Sequence, residues 1–132
     1  INAIEKLFTP LDTSIYKNKA IILIDQPSAQ KQGGVAQFLV TYNHLNANNQ
    51  FFRLAERDIE QCYPNQPCPT YTNWKKTQEE LDAVNGNGER IITGKKKRQL
   101  AKHVGDNITQ VQFETDLQIC HNALERCWEL SH

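Results

Sequence analysis

Charged side chains of opposite sign occur in this chain at positions where they could act together on a phosphate-containing substrate. Asp25 directly follows a short apolar run, and a later acidic turn contains Glu56, Asp58 and Glu60. A lysine cluster, Lys95 to Lys97, comes near the predicted start of a helix. Carboxylate oxygens are the ligands that Mg²⁺ prefers, and cations at a helix start can help to hold phosphate. The pattern predicts a cation site with a basic counterpart.

Each of these groups also has a simpler interpretation. An aspartate at the end of a strand often caps the following turn through its own side chain. A run of lysines is more often a solvated helix face than a binding site. Both interpretations remain open at the level of the sequence.

The apolar run before Asp25 is the predicted centre of the fold. Ala20-Ile-Ile-Leu-Ile is followed at once by the breaker-rich Gln26-Pro27, and such a run predicts a strand buried on both faces, as in a parallel sheet. Phe51 to Leu54 is the next candidate strand. A helix is predicted between the two strands, with Val35, Phe38, Leu39, Tyr42 and Leu45 on its buried face. This order is typical of a right-handed crossover unit, which would bring Asp25 and the acidic turn to one ligand-binding sheet edge.

Four further helices are predicted from apolar spacing and capping residues. The first contains Ile4, Leu7, Phe8 and Leu11; the second begins at Asn73 and buries Trp74, Leu81 and Val84. The third begins at Gly94, buries Leu100, Ala101 and Val104, and ends at Gly105. The last begins with a capping box of Thr109 and Gln112 and buries a seam of Phe113, Leu117, Cys120, Leu124 and Cys127.

Composition indicates a single globular domain. The 132 residues are enough for one core, and the 15 basic and 15 acidic side chains give no net field favouring nucleic acid or a membrane. The sequence contains neither a membrane-spanning run nor a signal peptide pattern, so we expect a cytoplasmic protein. The chain begins with Ile1 and contains no methionine, which suggests an excerpt of a longer protein or a processed piece.

The four cysteines predict a zinc or disulfide site only weakly. Cys62 and Cys68 are separated by five residues and Cys120 and Cys127 by six, whereas common zinc knuckles use two to four. Cysteine also behaves as a small hydrophobe. We therefore expect these residues in the core or in loops, with a small zinc-dependent or disulfide-stapled domain as the alternative.

An ordered set of segments resembles a known family. The segments are Ile-Leu-Ile-Asp25, Phe-Arg-Leu-Ala-Glu-Arg-Asp-Ile-Glu60-Gln-Cys-Tyr-Pro, Gly-Lys-Lys-Lys97-Arg-Gln-Leu-Ala and Asn-Ile-Thr-Gln-Val-Gln-Phe before a final helix. Together they resemble the C-terminal part of a Toprim (topoisomerase-primase) domain, and more narrowly the overcoming-lysogenization-defect family of ATP-dependent endonucleases. The resemblance covers about Tyr16 to Leu130.

The resemblance implies an α/β fold with a small, mostly parallel sheet covered by helices, lacking the family's first strand. A single Toprim-like domain, or the C-terminal fragment of one, would span residues 1–132, with a strand-helix-strand core at 16–63 and a helical part at 73–130. The implied activity is metal-dependent hydrolysis of DNA phosphodiesters in antiphage defence, beside an ATPase domain upstream or in the same complex. Asp25 and Glu60 would bind Mg²⁺ or Mn²⁺, and Lys97, with Lys96 as the alternative, would stabilise transition-state charge.

Two departures from the family pattern lead to a second hypothesis. The paired-aspartate motif of the family here reads Asp25-Gln26-Pro27, so its second carboxylate is missing. The family's other metal-binding glutamates lie on an earlier strand and helix that this chain lacks. The nuclease site is therefore incomplete in this chain, and the alternative is a degenerate, non-catalytic Toprim-like module for protein assembly, including homodimers, or for nucleic-acid docking.

Overall fold

A computed structural model describes residues 16–132, which form two compact units. The first unit contains residues 16–57 and 119–132, and the second contains residues 58–118. The chain combines a two-stranded parallel sheet with helices, so the predicted α/β class with a small parallel sheet is confirmed. The Toprim-like identity stays a prediction. The helix predicted around Ile4 to Leu11 lies outside the described residues.

The first unit is built around a strand-helix-strand segment. Strand β1 (Ile22–Ile24) pairs in parallel with β2 (Phe51–Arg53), with Leu23 opposite Phe52. Helices α1 (Gln32–Thr41) and α2 (His44–Ala47) connect the two strands. A single 3-10 turn, Lys17–Lys19, precedes β1. The predicted order of strand, helix and strand is confirmed.

The core of the first unit lies between β1 and the connecting helices. Ile22, Phe38 and Leu45 are its buried centre, and Phe38 packs against Tyr42 and Phe51 with ring centroids 4.9 and 6.1 Å away. Leu23, however, is 42% exposed. The prediction that β1 is buried on both faces was therefore wrong. Successive strand residues point to opposite faces; in β1 Ile22 is buried and Ile24, on the same face, is half-buried, whereas Leu23 on the other face is exposed.

Hydrogen bonds of a buried glutamine link the start of β1 to the start of β2. Gln50 is fully buried, and its Nε2 donates to the carbonyls of Lys17 (3.0 Å) and Ala20 (2.8 Å). The backbone carbonyl of Gln50 accepts a hydrogen bond from Ile22 N at 2.9 Å. The preceding Asn49 takes a left-handed conformation (φ 55°), which asparagine tolerates better than most residues. These bonds set the register of the two strands.

The second unit begins with a 3-10 turn, Ile59–Gln61, and a proline-containing loop. Helix α3 spans Gln78–Asp82, and its N-cap is Thr77 rather than the predicted Asn73. The Asn73 side chain instead closes the preceding loop, accepting from Gln66 N and donating to Asn65 Oδ1. Trp74 and Leu81 are buried as predicted.

Val84 was wrongly predicted to be buried, since it is 54% exposed. It forms an isolated antiparallel bridge with Arg90 around a tight turn. In that turn the Asn85 side chain accepts hydrogen bonds from Asn87 N and Glu89 N, and Gly88 takes a positive φ of 76°. The chain therefore leaves helical geometry before Val84 could join the buried face of α3.

Helix α4 (Gly94–Asn107) is capped by Thr93, whose Oγ1 accepts from Lys96 N at 3.3 Å. Leu100 and Val104 are buried as predicted, whereas Ala101 is exposed. The helix also continues through Gly105, the residue predicted to end it. The N-cap of the next helix, Thr109, lies two residues after Asn107, the last residue of α4. This capping residue, and not Gly105, marks the boundary between the two helices.

The last predicted helix is two helices. The capping box of Thr109 and Gln112 is present at the start of α5 (Gln110–Asp116), as predicted. Leu117 then leaves helical geometry (φ −108°, ψ 39°) before α6 (Gln118–Ser131) begins.

The predicted apolar seam does not continue through this break. Leu124 is 59% exposed and Cys127 is exposed, whereas Ala123 is buried. A non-helical residue interrupts the 3.6-residue period, so the phase set before Leu117 does not carry past it. None of the helices in residues 16–132 combines the length and the apolar content needed to cross a bilayer.

Candidate functional site

The carboxyl ends of β1 and β2 meet at one edge of the small sheet. Leu54 N donates to Ile24 O at 2.9 Å, and one step further Gln26 N donates to Glu56 O at 3.0 Å. These bonds extend the parallel pairing beyond the strands themselves. The loop that follows β1 and the loop that follows β2 are therefore held side by side by their backbones.

A carboxylate stands in each of these two loops. Asp25 follows β1 and Glu56 follows β2, and both residues are exposed. In this bond the donor, Gln26 N, belongs to the residue after Asp25, and the accepting carbonyl belongs to Glu56 itself. The two loops are therefore joined at Glu56 and at the neighbour of Asp25. We expected the acidic turn to reach the same sheet edge as Asp25, and Glu56 does so. The site prediction had named Glu60 instead as the second metal ligand.

Glu60, the predicted second metal ligand, lies in the second unit. It sits in the 3-10 turn that Asp58 caps, where Asp58 N donates to Gln61 Oε1 at 3.0 Å. Glu60 is buried, with 7% exposure, and its backbone carbonyl accepts from Lys76 N at 2.8 Å.

The predicted lysines lie in the first turn of α4. Lys97 is half-buried, and its backbone N donates to Thr93 O at 2.9 Å. Lys96 is exposed, and its Nζ donates to Ile91 O at 3.1 Å. Within the second unit, no hydrogen bond or ion pair joins Glu60 to either lysine among the described residues.

The four predicted site residues are divided between the two units. Asp25 belongs to the first unit, whereas Glu60, Lys96 and Lys97 belong to the second. The assignment of all four to a joint site stays a prediction.

The donor set at the strand ends fits a hard cation only in part. In residues 16–132 no group of three or more His, Cys, Asp or Glu side chains is arranged to hold a metal ion. Asp25 and Glu56 supply oxygen ligands, and Mg²⁺ is commonly bound through one or two carboxylates completed by substrate phosphates and water. A cation held here would depend on the substrate for the rest of its ligands.

The cysteines build no site of their own within the part of the chain that the structure describes. None of the four forms a disulfide bond there. Cys62, Cys68 and Cys120 are half-buried and Cys127 is exposed, so the expectation of core or loop positions holds except that Cys127 is not in the core. The zinc-dependent or disulfide-stapled alternative receives no support from this arrangement.

No protein-family model matches this chain, and comparisons with curated proteins and with solved structures found no match either.

Proposed function

We propose that this protein is the nuclease portion of a metal-dependent DNA endonuclease, in which Asp25 supplies a carboxylate to Mg²⁺ or Mn²⁺. The observation that supports the proposal is the backbone bond from Gln26 N to Glu56 O, which holds two exposed carboxylates in adjoining strand-end loops. Ligand sites of open parallel sheets lie at this edge. An ATPase partner and a role in antiphage defence belong to the same proposal, through the family resemblance.

Each residue has a distinct role in this proposal. Asp25, with Glu56 or Glu60, binds the cation, and Lys97 or Lys96 stabilises negative charge on the phosphate in the transition state. When bound, Mg²⁺ polarises a phosphoryl oxygen and lowers the pKa of a coordinated water. Two carboxylates do not fill all coordination positions of the cation, so the DNA phosphate could occupy one of them. Metal binding would then be coupled to DNA binding.

Manganese binding tests the strand-end site directly. Electron paramagnetic resonance of Mn²⁺ titrated with the chain should give a saturable signal, and Asp25→Asn should weaken binding by about tenfold or more, since a charged ligand is lost. Glu56→Gln should weaken it similarly. Asp116→Asn, which neutralises an exposed acid at the end of α5, is the matched control and should bind normally. Unchanged affinity in Asp25→Asn would contradict the site.

Cleavage of supercoiled DNA tests the reaction. Nicking in Mg²⁺ or Mn²⁺ by the complete protein, together with any fused or associated ATPase, should be lost in Lys97→Gln and retained in Lys95→Gln. The absence of cleavage with every divalent metal tested would contradict the nuclease proposal. If nicking depends on Lys96 instead, the assignment moves by one residue.

A non-catalytic module is the second candidate, and two observations favour it. Pro27 occupies the place of the missing second aspartate, and no third metal-ligating side chain joins Asp25 and Glu56 among the described residues. Such a module would bind DNA with strong salt dependence, or form homodimers, without turnover. Fluorescence anisotropy with labelled DNA at increasing salt, and sedimentation, test it. A monomeric protein that does not bind DNA would exclude it.

A further inference from the structure

The second unit contains a cavity of about 250 Å³, and none of the predicted site residues lines it. Its lining residues combine apolar and charged groups: Tyr71, Thr72, Lys76, Glu80, Ala83, Ile91 and Ile92. The cavity is open to solvent on one side, and its volume is sufficient for part of a small organic molecule.

Lys76 is the unusual member of this lining. The residue is only 3% exposed, its Nζ donates to the carbonyl of Asn73, and the same atom lies 4.4 Å from the centroid of the Tyr71 ring. Among the described residues it has no ion pair with a carboxylate. Burying an ammonium without an anionic partner is costly, and one neutral carbonyl and a ring face offset that cost only partly. An anionic ligand group would supply the missing partner.

The Tyr71 residue also lines the pocket, but its hydroxyl is not accessible from the open space. The hydroxyl is buried and has no hydrogen-bond partner within residues 16–132. Burial raises the pKa of the Tyr71 phenol, and the nearby Cys68 adds to the increase, so the hydroxyl keeps its proton at neutral pH. An unsatisfied buried donor is costly in the same sense as an unpaired charge. Among these two residues, the partner for a ligand carboxylate is therefore Lys76.

Glu80 contributes the opposite charge. It is exposed, and its Oε2 accepts from Thr77 N at 2.9 Å while Glu80 N donates to Thr77 Oγ1 at 3.1 Å. This capping box holds the carboxylate at the start of α3. Lys76 and Glu80 do not pair with each other, although both line the cavity. The lining therefore contains two charged side chains of opposite sign.

We propose that this cavity binds a small zwitterion with an apolar side chain, of the class of free aliphatic or aromatic α-amino acids. The carboxylate of the ligand pairs with Lys76, its ammonium group faces Glu80, and its side chain packs on Ile91 and Ile92. Two charged groups and an apolar wall each then receive a complementary part of one molecule. This inference does not depend on the proposed nuclease function.

Simpler ligands satisfy only part of the lining. A monocarboxylate would leave Glu80 without a partner and close to a like charge, and an amine would leave Lys76 unpaired. A phosphate dianion requires more donors than Lys76 provides, and it would be poorly accommodated beside the isoleucines.

Heteronuclear NMR titration of the full chain with L-leucine and L-phenylalanine tests the proposal. Saturable shifts should appear for amides between residues 71 and 92. The two fragments of leucine, 4-methylpentanoate without the amino group and 3-methylbutylamine without the carboxylate, should bind about tenfold more weakly or worse, because each loses one charge contact. No saturable shifts with either amino acid would overturn the proposal, and so would equal affinity for leucine and 4-methylpentanoate.

Matched variants separate the two charge contacts from general effects on folding. Lys76→Met keeps most of the buried stem and removes the ammonium, so it should abolish the preference for leucine over 3-methylbutylamine; Lys75→Met, at the exposed neighbour, should not. Glu80→Gln keeps an acceptor for Thr77 N and should abolish the preference for leucine over 4-methylpentanoate, with Glu79→Gln as its control. If Lys76→Met does not fold, the preference of the wild type for leucine over 3-methylbutylamine provides the second test of the carboxylate contact. Unchanged leucine binding in Glu80→Gln would contradict the assigned pose.

Discussion

The strand ends of the first unit and the cavity of the second unit present charge in opposite ways. At the strand ends, Asp25 and Glu56 are exposed acids in loops whose backbones are hydrogen bonded. In the cavity, Lys76 is a buried cation and Tyr71 a buried donor. Exposed carboxylates are solvated at little cost, whereas a buried ammonium carries its desolvation cost at all times. Charge alone is therefore weak evidence for a site, and charge together with burial is stronger.

Leucine truncations should give the largest effects and test whether burial is assigned correctly in each unit. Leu45 in the first unit and Leu81 in the second are both fully buried. Either change to alanine should lower the free energy of unfolding by about 2 to 5 kcal/mol, because apolar contacts are lost and a cavity remains. Urea denaturation measures the loss, and hydrogen exchange locates it.

Leu124→Ala is the control, since this leucine is 59% exposed and should change the free energy of unfolding by about 0.5 kcal/mol or less. A large loss in Leu124→Ala would restore the continuous seam predicted from the sequence and contradict the break at Leu117.

Removing one charged side chain from each region should give an intermediate and unequal effect. Lys76→Ala should lower the free energy of unfolding by about 1 to 3 kcal/mol, because a buried stem is lost. Glu56→Ala should change it by about 0.5 kcal/mol or less, since the residue is exposed and its hydrogen bond is made by the backbone. Chemical denaturation of both variants under one buffer gives the two values. Equal effects would remove the distinction between the two regions.

The pH dependence of Tyr71 should give the smallest effect. Its pKa in the folded state lies above the ordinary value of 10.0, so its contribution to stability is complete below that pH and is lost as the pH rises through the folded-state pKa. Tyr71→Phe should be about as stable as the wild type at neutral pH, because the hydroxyl has no partner among the described residues. It should lose less stability than the wild type above about pH 10. Thermal melts across this range, with the phenolate absorbance as a second readout, compare the two proteins; parallel curves would contradict the burial of the hydroxyl.

Local patterns predicted those features of the fold that depend on neighbouring residues. The strand-helix-strand order, the buried face of α1 and the capping box at Thr109 follow from turn residues, apolar spacing and reciprocal side-chain bonds over a few positions. The same reasoning missed the cap at Thr77, because Asn73 is also a good capping residue and its use in the loop depends on contacts with Asn65 and Gln66.

The two candidate sites also differ in how much of each could be predicted from the sequence. Asp25 was identified from its position after an apolar run, and the parallel pairing added Glu56 beside it. Lys76 gave no signal in the sequence, where it is one lysine of an adjacent pair, Lys75 and Lys76. Only burial distinguishes the two, since Lys75 is exposed and Lys76 is not.

The sequence by itself determined the α/β class, the order of the two parallel strands around Asp25, and the starts of α4 and α5, because these depend on interactions within a short stretch of chain. Tertiary structure alone decided that Leu23 and Leu124 are exposed, that Leu117 interrupts the last helix, and that Lys76 lies against Tyr71. Burial is a property of what packs on a residue from elsewhere in the chain, and a period of 3.6 or 2 residues specifies only which side chains share a face, not which face is covered.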